Sequence, residues 1–366
     1  MLRTSTVAGS SGNSSSRSWG RSVRGFLARH PILFLLVLAP EVEYLTGSSQ
    51  LSLLIGNPPV FLIFVLQNVG YYGAADLLIR EAQVRWQKGW ATVLTLGAAY
   101  RILNEGIGTG VLFNPATPAG LGGYGHVLGV NWTTLAVLVP IVHPLYSVSL
   151  PLLLFGLALP DYRTRSLLST RGIGVVFVLL GADVVATSIF VTKYVSHYYA
   201  GPVLLTGCVL AIVVLVIVAR FLPAQLVRAW NSARTSGPLA FAVVGAAFPW
   251  IILLGGDVLA RKGANFGLAI LFVLSVGAIV LAWVLSRMGR SSNESRKTAL
   301  AIGLIVGLIP MGILSQLGTG VGLIAVFAGD LLAAAFCAYL WKRYRETATP
   351  SGAEGRRSDP SAGAGD

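Results

Sequence analysis

Apolar residues in this chain fall into long blocks separated by short polar segments. Ten blocks reach the ~20 residues a helix needs to cross the hydrocarbon core of a bilayer. They predict helices over about 26–46, 59–80, 89–113, 132–159, 172–193, 201–222, 238–258, 264–286, 297–317 and 319–341. The fold class that follows is all-α, a polytopic integral membrane helix bundle, with a tight hairpin at Gly318 and Thr319 before the last span.

The polar segments between the blocks test this count. With the N-terminus inside, the inner segments carry Arg80, Arg85 and Lys88, then Arg163, Arg165 and Arg171, and so on through Arg356 and Arg357; in all they hold 23 of the 27 basic residues. The outer segments hold Lys193, Arg261 and Lys262, and Arg101 alone lies within a span. Every second connection is basic, as the positive-inside rule requires, so both termini are expected in the cytoplasm. Trp86, Trp90, Trp132, Trp283 and Trp341 fall near span ends, where indole rings favour the headgroup region.

Residues 1–24 and 346–366 are rich in Ser, Gly, Ala and charge, and are expected as disordered cytoplasmic tails. The transmembrane domain then runs over 25–345. It divides by composition into a polar-site module at about 26–200 and an apolar scaffold at about 201–345. The outer segment 114–131, with Gly120-Leu121-Gly122-Gly123-Tyr124-Gly125-His126, is expected as an irregular loop. Asn131-Trp132-Thr133 matches a glycosylation pattern, but it lies too close to the membrane to be used.

Composition narrows the class further. The chain is 54% hydrophobic and 11% charged, where a soluble domain is closer to about 25% charged. The net charge of +13 is scattered in small groups with no basic stripe, which argues against nucleic-acid binding. Cys208 and Cys337 sit inside apolar spans, so no disulfide and no cysteine zinc site are expected. The first apolar run ends in Pro40-Glu41-Val42-Glu43 rather than in a small-residue cleavage site, so it reads as a retained helix. No His-Glu-x-x-His, Gly-x-Ser-x-Gly or Walker loop occurs, and no cofactor or metal is expected. Abundant Ala, Gly, Val and Arg point to a prokaryotic plasma-membrane protein.

The candidate chemistry lies at membrane depth. A charge there costs about 2.5–3.5 kcal/mol on insertion scales, so it persists mainly where it pairs or carries function. Asn68, Tyr72 and Asp76 share one helix face at four-residue spacing. Gly97, Arg101, Asn104, Glu105 and Gly108 form a second stripe; its glycines would let a neighbouring helix come close. His143, Ser147 and Pro151 form a third, beside Pro140 and Pro144. Asp183 and Thr187 share a face; Glu41, Glu43 and Tyr44 end the first span; Asp330 is the one deep charge of the second half. Arg101 is expected to pair with Glu105 or Asp183, with all stripes lining one polar cavity that opens outward past Glu41 and Glu43. His143 either handles protons or satisfies a carbonyl freed by proline. Asp76 is expected to pair with Arg80 or Arg85. Asp257 lies near the outer end of the seventh span, and His126 and His197 read as loop residues.

Pro40-Glu41-x-Glu43-Tyr44, Ile79-Arg80-Glu81, Asn104-Glu105-Gly106-Ile107, Phe113-Asn114-Pro115 and His143-Pro144-Leu145-Tyr146-Ser147 together resemble an uncharacterised group of prokaryotic multi-pass membrane proteins, over about residues 40–165. That resemblance implies a distinctive module in the first five spans and no particular activity. Glu41-Val42-Glu43 also resembles the acidic pair that lipid-linked glycosyltransferases place outside their first helix, although the loop at 47–58 is short for an acceptor. Arg80-Glu81 with Arg85 lacks the paired glutamates and later His motifs of CAAX-processing proteases, which excludes that family. The expected function is a transporter or permease for a small solute, with an anion as one class, coupled to protons through Glu105, Asp183 or His143. The alternatives are a membrane enzyme acting on a lipid or lipid-linked substrate through Glu41, Glu43 or Glu105, and a non-catalytic assembly subunit.

Overall fold

A computed structural model describes residues 22–45, 62, 65–116, 125–224, 226, 236–256, 258–259, 266–288, 294–315, 317 and 321–348. Residues 1–21 and 349–366 of the expected tails, most of the Gly-rich loop, Asp257 and the Gly318–Thr319 hairpin lie outside those residues, whereas 22–24 and 346–348 are helical.

The fold is all-α, and helix occupies each of the apolar blocks. In chain order these are α1 (Ser22–Arg29), α2 (Pro31–Leu45), α3 (65–85), α4 (90–108), α5 (Thr134–Ala158), α6 (Thr170–Val195), α7 (Pro202–Phe221), α8 (238–255), α9 (Phe266–Met288), α10 (Glu294–Ser315) and α11 (Val321–Ala348). Five of them are long and apolar enough to cross a membrane: α5, α6, α7, α9 and α10. The pair α1 and α2 would make a sixth if it counts as one span.

That pair is not straight. The block expected at 26–46 bends by 99° at His30. Pro31 has no N–H to donate into the preceding turn, and it disfavours the helical conformation at the residue before it. Only the 15 residues of α2 continue inward, a length of about 22 Å.

Burial orders the bundle. In α5, 67% of the apolar window is covered by the rest of the protein, against 17% in α6 and 11% in α7 and α9. The central helix is therefore α5, packed among α2, α3, α4 and α10. Phe177, Leu210 and Leu271 typify the outer faces of α6, α7 and α9; all three are exposed and apolar. Such continuous apolar surface suits lipid rather than water.

Small residues set the tightest contacts. A side chain at Gly97 of α4 would meet the Cα of Pro144 in α5 at 3.0 Å, so these two helices touch along their backbones. Between α5 and α6 the chain makes a short turn at Pro160–Tyr162. The segment after α4, expected as an irregular loop, is not wholly irregular. It forms a minimal hairpin of β1 (His126–Val127) and β2 (Val130–Asn131), paired antiparallel. Asn131 anchors it, donating from Nδ2 to the carbonyls of Val111 at 2.6 Å and Asn114 at 3.0 Å. With its amide nitrogen so committed and only 1% of its surface exposed, Asn131 is no glycosylation acceptor.

Candidate functional site

Three helices meet at Arg101, and each widens there. The turns over Val69–Gly73 in α3, Ile102–Gly108 in α4, and Thr134–Val142 and Pro144–Ser149 in α5 are π-type. In α5 the cause is local: Pro140 and Pro144 cannot donate into the ladder, and the turn widens around them.

Arg101 pairs with Glu105 one turn on, as the spacing predicts, and not with Asp183. Its Nη1 also donates to Nδ1 of His143, at 2.9 Å. Ser147, one turn after His143, stands 2.9 Å from the same Nδ1 and donates from Oγ to Oε2 of Glu43 in α2, at 2.8 Å. The result is a continuous polar chain, Glu105–Arg101–His143–Ser147–Glu43, drawn from α4, α5 and α2. Every member is buried. Thr109 Oγ1 donates to Oε2 of Glu105 at 3.4 Å.

A guanidinium only donates, so the contact with Arg101 makes Nδ1 of His143 the acceptor and leaves the ring proton on Nε2. His143 thus serves the polar chain rather than a carbonyl freed by proline. The site also has donors without acceptors. Arg101 Nε and Asn104 Nδ2 are buried and have no partner among the described residues; the Tyr71 hydroxyl beside them is likewise unpartnered.

Tyr71 and Tyr100 were not singled out by the polar stripes, yet they complete the site. Tyr71, Tyr72 and Tyr100 form a ring cluster with centroids 5.8, 6.0 and 6.1 Å apart. The Tyr71 hydroxyl rests on Gly108, in electrostatic range of Glu105, Asp183 and Arg101. Tyr72 interacts with Asn104 and faces Glu43 and Arg101. The signal in the sequence was adjacency: Tyr100 precedes Arg101, and Tyr71 precedes Tyr72. Asn68 is buried one turn before Tyr72 on the same face of α3. Asp183 lies at the edge, its Oδ2 without a partner among the described residues and so close to Gly70 that a methyl there would come within 2.8 Å of it.

The stripes expected to line a single cavity divide into separate groups instead. Glu41 and Glu43 are two residues apart and so face opposite ways on α2. Glu43 joins the Arg101 chain. Glu41 faces α11, where a methyl on Gly329 would lie 3.4 Å from its Oε1 and where Asp330 acts on its charge. Asp330 is buried with both oxygens unpartnered among the described residues. Glu41, Tyr44 and Asp330 therefore form a separate acidic group between α2 and α11.

The expected pairing of Asp76 is also corrected. Arg80 and Arg85 both go to Glu81, at 3.0 and 3.2 Å. Glu81 additionally accepts from Ser166 Oγ and from the Leu167 N–H, while Arg80 donates to the carbonyls of Tyr162 and Arg165. The connection between α5 and α6 folds back over the end of α3 and takes up both arginines. Burial pushes the Glu81 carboxyl up, but the bonds from Ser166, Leu167 and Arg85 and the charge of Arg80 outweigh it and hold it below the usual carboxylate range. Asp76 is left fully buried, with neither oxygen partnered among the described residues.

Cys208 and Cys337 are both free and buried. Among the described residues no three His, Cys, Asp or Glu side chains gather as a metal site. No known protein family, curated protein or solved structure matches the chain. Fold and site together define the class: an all-helical chain with several helices fit to cross a membrane and a charged, water-excluded centre.

Proposed function

We propose that this is a ten-span protein of the prokaryotic plasma membrane, with both termini cytoplasmic, that moves a small anionic solute together with protons. The observation that carries the reading is the pair of buried donors beside Arg101. An orphaned donor in a dry site is costly, by about 1–3 kcal/mol. Arg101 Nε and Asn104 Nδ2 would both be satisfied by the oxygens of one carboxylate or phosphate-like group.

Charge supplies the coupling. Glu105 and Glu43 flank one guanidinium, and two carboxylates in a low-dielectric site do not both ionise readily. A proton on Glu105 weakens its hold on Arg101 and frees the guanidinium for the anion. When Glu105 loses the proton it reclaims Arg101 and the anion is expelled. Binding of anion and of proton would then be mutually favourable, as linkage requires. Ser147, which donates to Glu43, and the His143 ring lie between this exchange and Glu43.

The test is flux of labelled carboxylates and phosphates into proteoliposomes under a proton gradient. Uptake that follows the gradient and is lost in Arg101→Gln supports the reading. No uptake of any such anion, with no accompanying pH change, would rule it out.

One observation favours a second reading, an enzyme acting on a lipid-linked substrate. A cleft of about 230 Å³ lined by Ile102, Leu112, Phe113, Leu204 and Cys208 opens beside the Arg101 helix and is nearly all apolar. A co-purified lipid with its chain in that cleft would favour this reading over transport.

A further inference from the structure

Asp76 is a buried carboxylate that the transport reading leaves without a role. It sits at the third step of a stripe along α3, Asn68, Tyr72, Asp76 and Arg80, each four residues from the last. None of its surface is exposed, and both of its oxygens lack a partner among the described residues.

Each neighbouring element has been given other work. Arg80, the cation on its own face, is bound to Glu81 and to two carbonyls and lies over the Phe155 ring at 5.0 Å. From α4, Arg101 is held by Glu105 and His143, and Tyr100, whose hydroxyl has no partner among the described residues, lies in electrostatic range of Asp76. From α2 come Glu41, Glu43 and Tyr44, which bring no positive charge. From α6 come Asp183, set against Gly70, and Arg171, at the exposed start of that helix. The inner part of α5, Leu150–Ala158, has no titratable side chain. An ionised carboxylate in such a place has neither water nor a counter-charge, which is prohibitively costly.

We propose that Asp76 is a proton-binding site, neutral in the closed protein, that exchanges its proton with the cytoplasmic side when the inner end of α3 opens. Tyr100, Tyr72 and Tyr71 fill the space between it and the Arg101 chain, so a charge appearing on Asp76 is felt there through a dry aromatic layer. This inference rests on the proton-coupled reading above for its purpose, but not for its measurement.

The measurement is infrared difference spectroscopy of the full chain in lipid nanodiscs, with deuterium exchange. At neutral pH the protein should show the carbonyl stretch of a protonated carboxylic acid in an apolar setting, slow to shift on deuteration, and Asp76→Asn should remove that component. An unchanged spectrum in Asp76→Asn overturns the proposal. So does a wild-type band that disappears on adding sodium at fixed pH, since that would make Asp76 a cation ligand. Should Asp76→Asn not fold, Tyr100→Phe serves instead: removing the adjacent hydroxyl should shift the band, and an unmoved band overturns the proposal. Absence of anion flux with the band intact would sink the transport reading alone; flux with the band unaltered by Asp76→Asn would sink this one alone.

Discussion

Nη1 of Arg101 donates to Nδ1 of His143 across 2.9 Å, and this contact fixes the imidazole as an acceptor on the side facing the guanidinium. A ring whose proton is confined to Nε2 by a permanent cation is a sensor of that cation. Nitrogen NMR of ring-labelled protein should therefore report a single neutral tautomer with Nδ1 bare. In Arg101→Gln the constraint is gone, and Ser147 can accept from a protonated Nδ1, so the two tautomers should mix. A wild-type ring that already exchanges between tautomers would contradict the geometry.

Stability should follow the same pair. Arg101→Ala leaves Glu105 buried without its counter-charge, and breaking a buried pair from one side costs about 3–5 kcal/mol. Replacing both, as Arg101→Met with Glu105→Met, removes the uncompensated charge and should recover much of the loss. Thermal unfolding of the unaltered protein, the single variants Arg101→Met and Glu105→Met, and the double variant in one detergent gives the coupling energy directly. A double variant as unstable as the sum of the singles would show that the two side chains do not interact in the membrane.

The stripes that located this pair were legible because helix periodicity alone sets them. Glu105 follows Arg101 by one turn, and Ser147 follows His143 by one turn, whatever the tertiary fold. Rotation of one helix against another is not encoded that way. Hence Glu41 and Glu43 read as one acidic pair, although the fold gives them to different neighbours. The partner of Asp76 was misread for a similar reason. Arg80 is the next residue on its stripe, but the connection at 162–168 folds back and offers Arg80 two carbonyls and Glu81 a serine and an N–H. Loop folding of that kind leaves no periodic trace. The bend at His30 was readable in principle from Pro31, but the apolar block runs through it unbroken.

The Glu81 cluster sets an acid limit on stability. Its folded carboxyl lies below the ordinary value of about 4.3, so the unfolded chain binds the proton first as pH falls. The contribution of Glu81 is fully present above that ordinary value and is lost as pH falls through the lowered folded value. Glu81→Gln should flatten the acid side of a plot of melting temperature against pH. At neutral pH it should cost about 1–3 kcal/mol, because Arg80 and the Leu167 N–H lose a charged acceptor. An acid limb identical to that of the unaltered protein would mean that other carboxylates set it.

Close packing of α8 on α10 makes a separate prediction. A Cβ at Gly303 would run into the carbonyl of Ala242, and one at Gly245 would meet the carbonyl of Leu300 at 2.6 Å. Gly303→Ala should therefore destabilise by about 1–3 kcal/mol, the usual cost of overpacking. Gly181 in α6 has nothing within 4 Å of the added methyl. Gly181→Ala should be neutral or slightly stabilising, since alanine is the better helix former. Equal melting temperatures for the two variants would place α8 and α10 further apart than described.

Orientation can be read from the two connections that flank α6. The N-terminal side of the helix carries Arg163, Arg165 and Arg171, whereas its C-terminal side has only Lys193. Thr164 is exposed in the first connection, and Tyr199 in the second is 67% exposed. Cys208 and Cys337 are buried and should give little background to a polar thiol reagent. With a cytoplasmic N-terminus and α6 as the fifth span, Tyr199→Cys should react with a membrane-impermeant maleimide on intact cells. Thr164→Cys should react only after the membrane is opened. The opposite pattern would invert the protein. Reaction of both from outside would remove α6 as a span and with it the alternation of basic connections on which the ten-span topology rests.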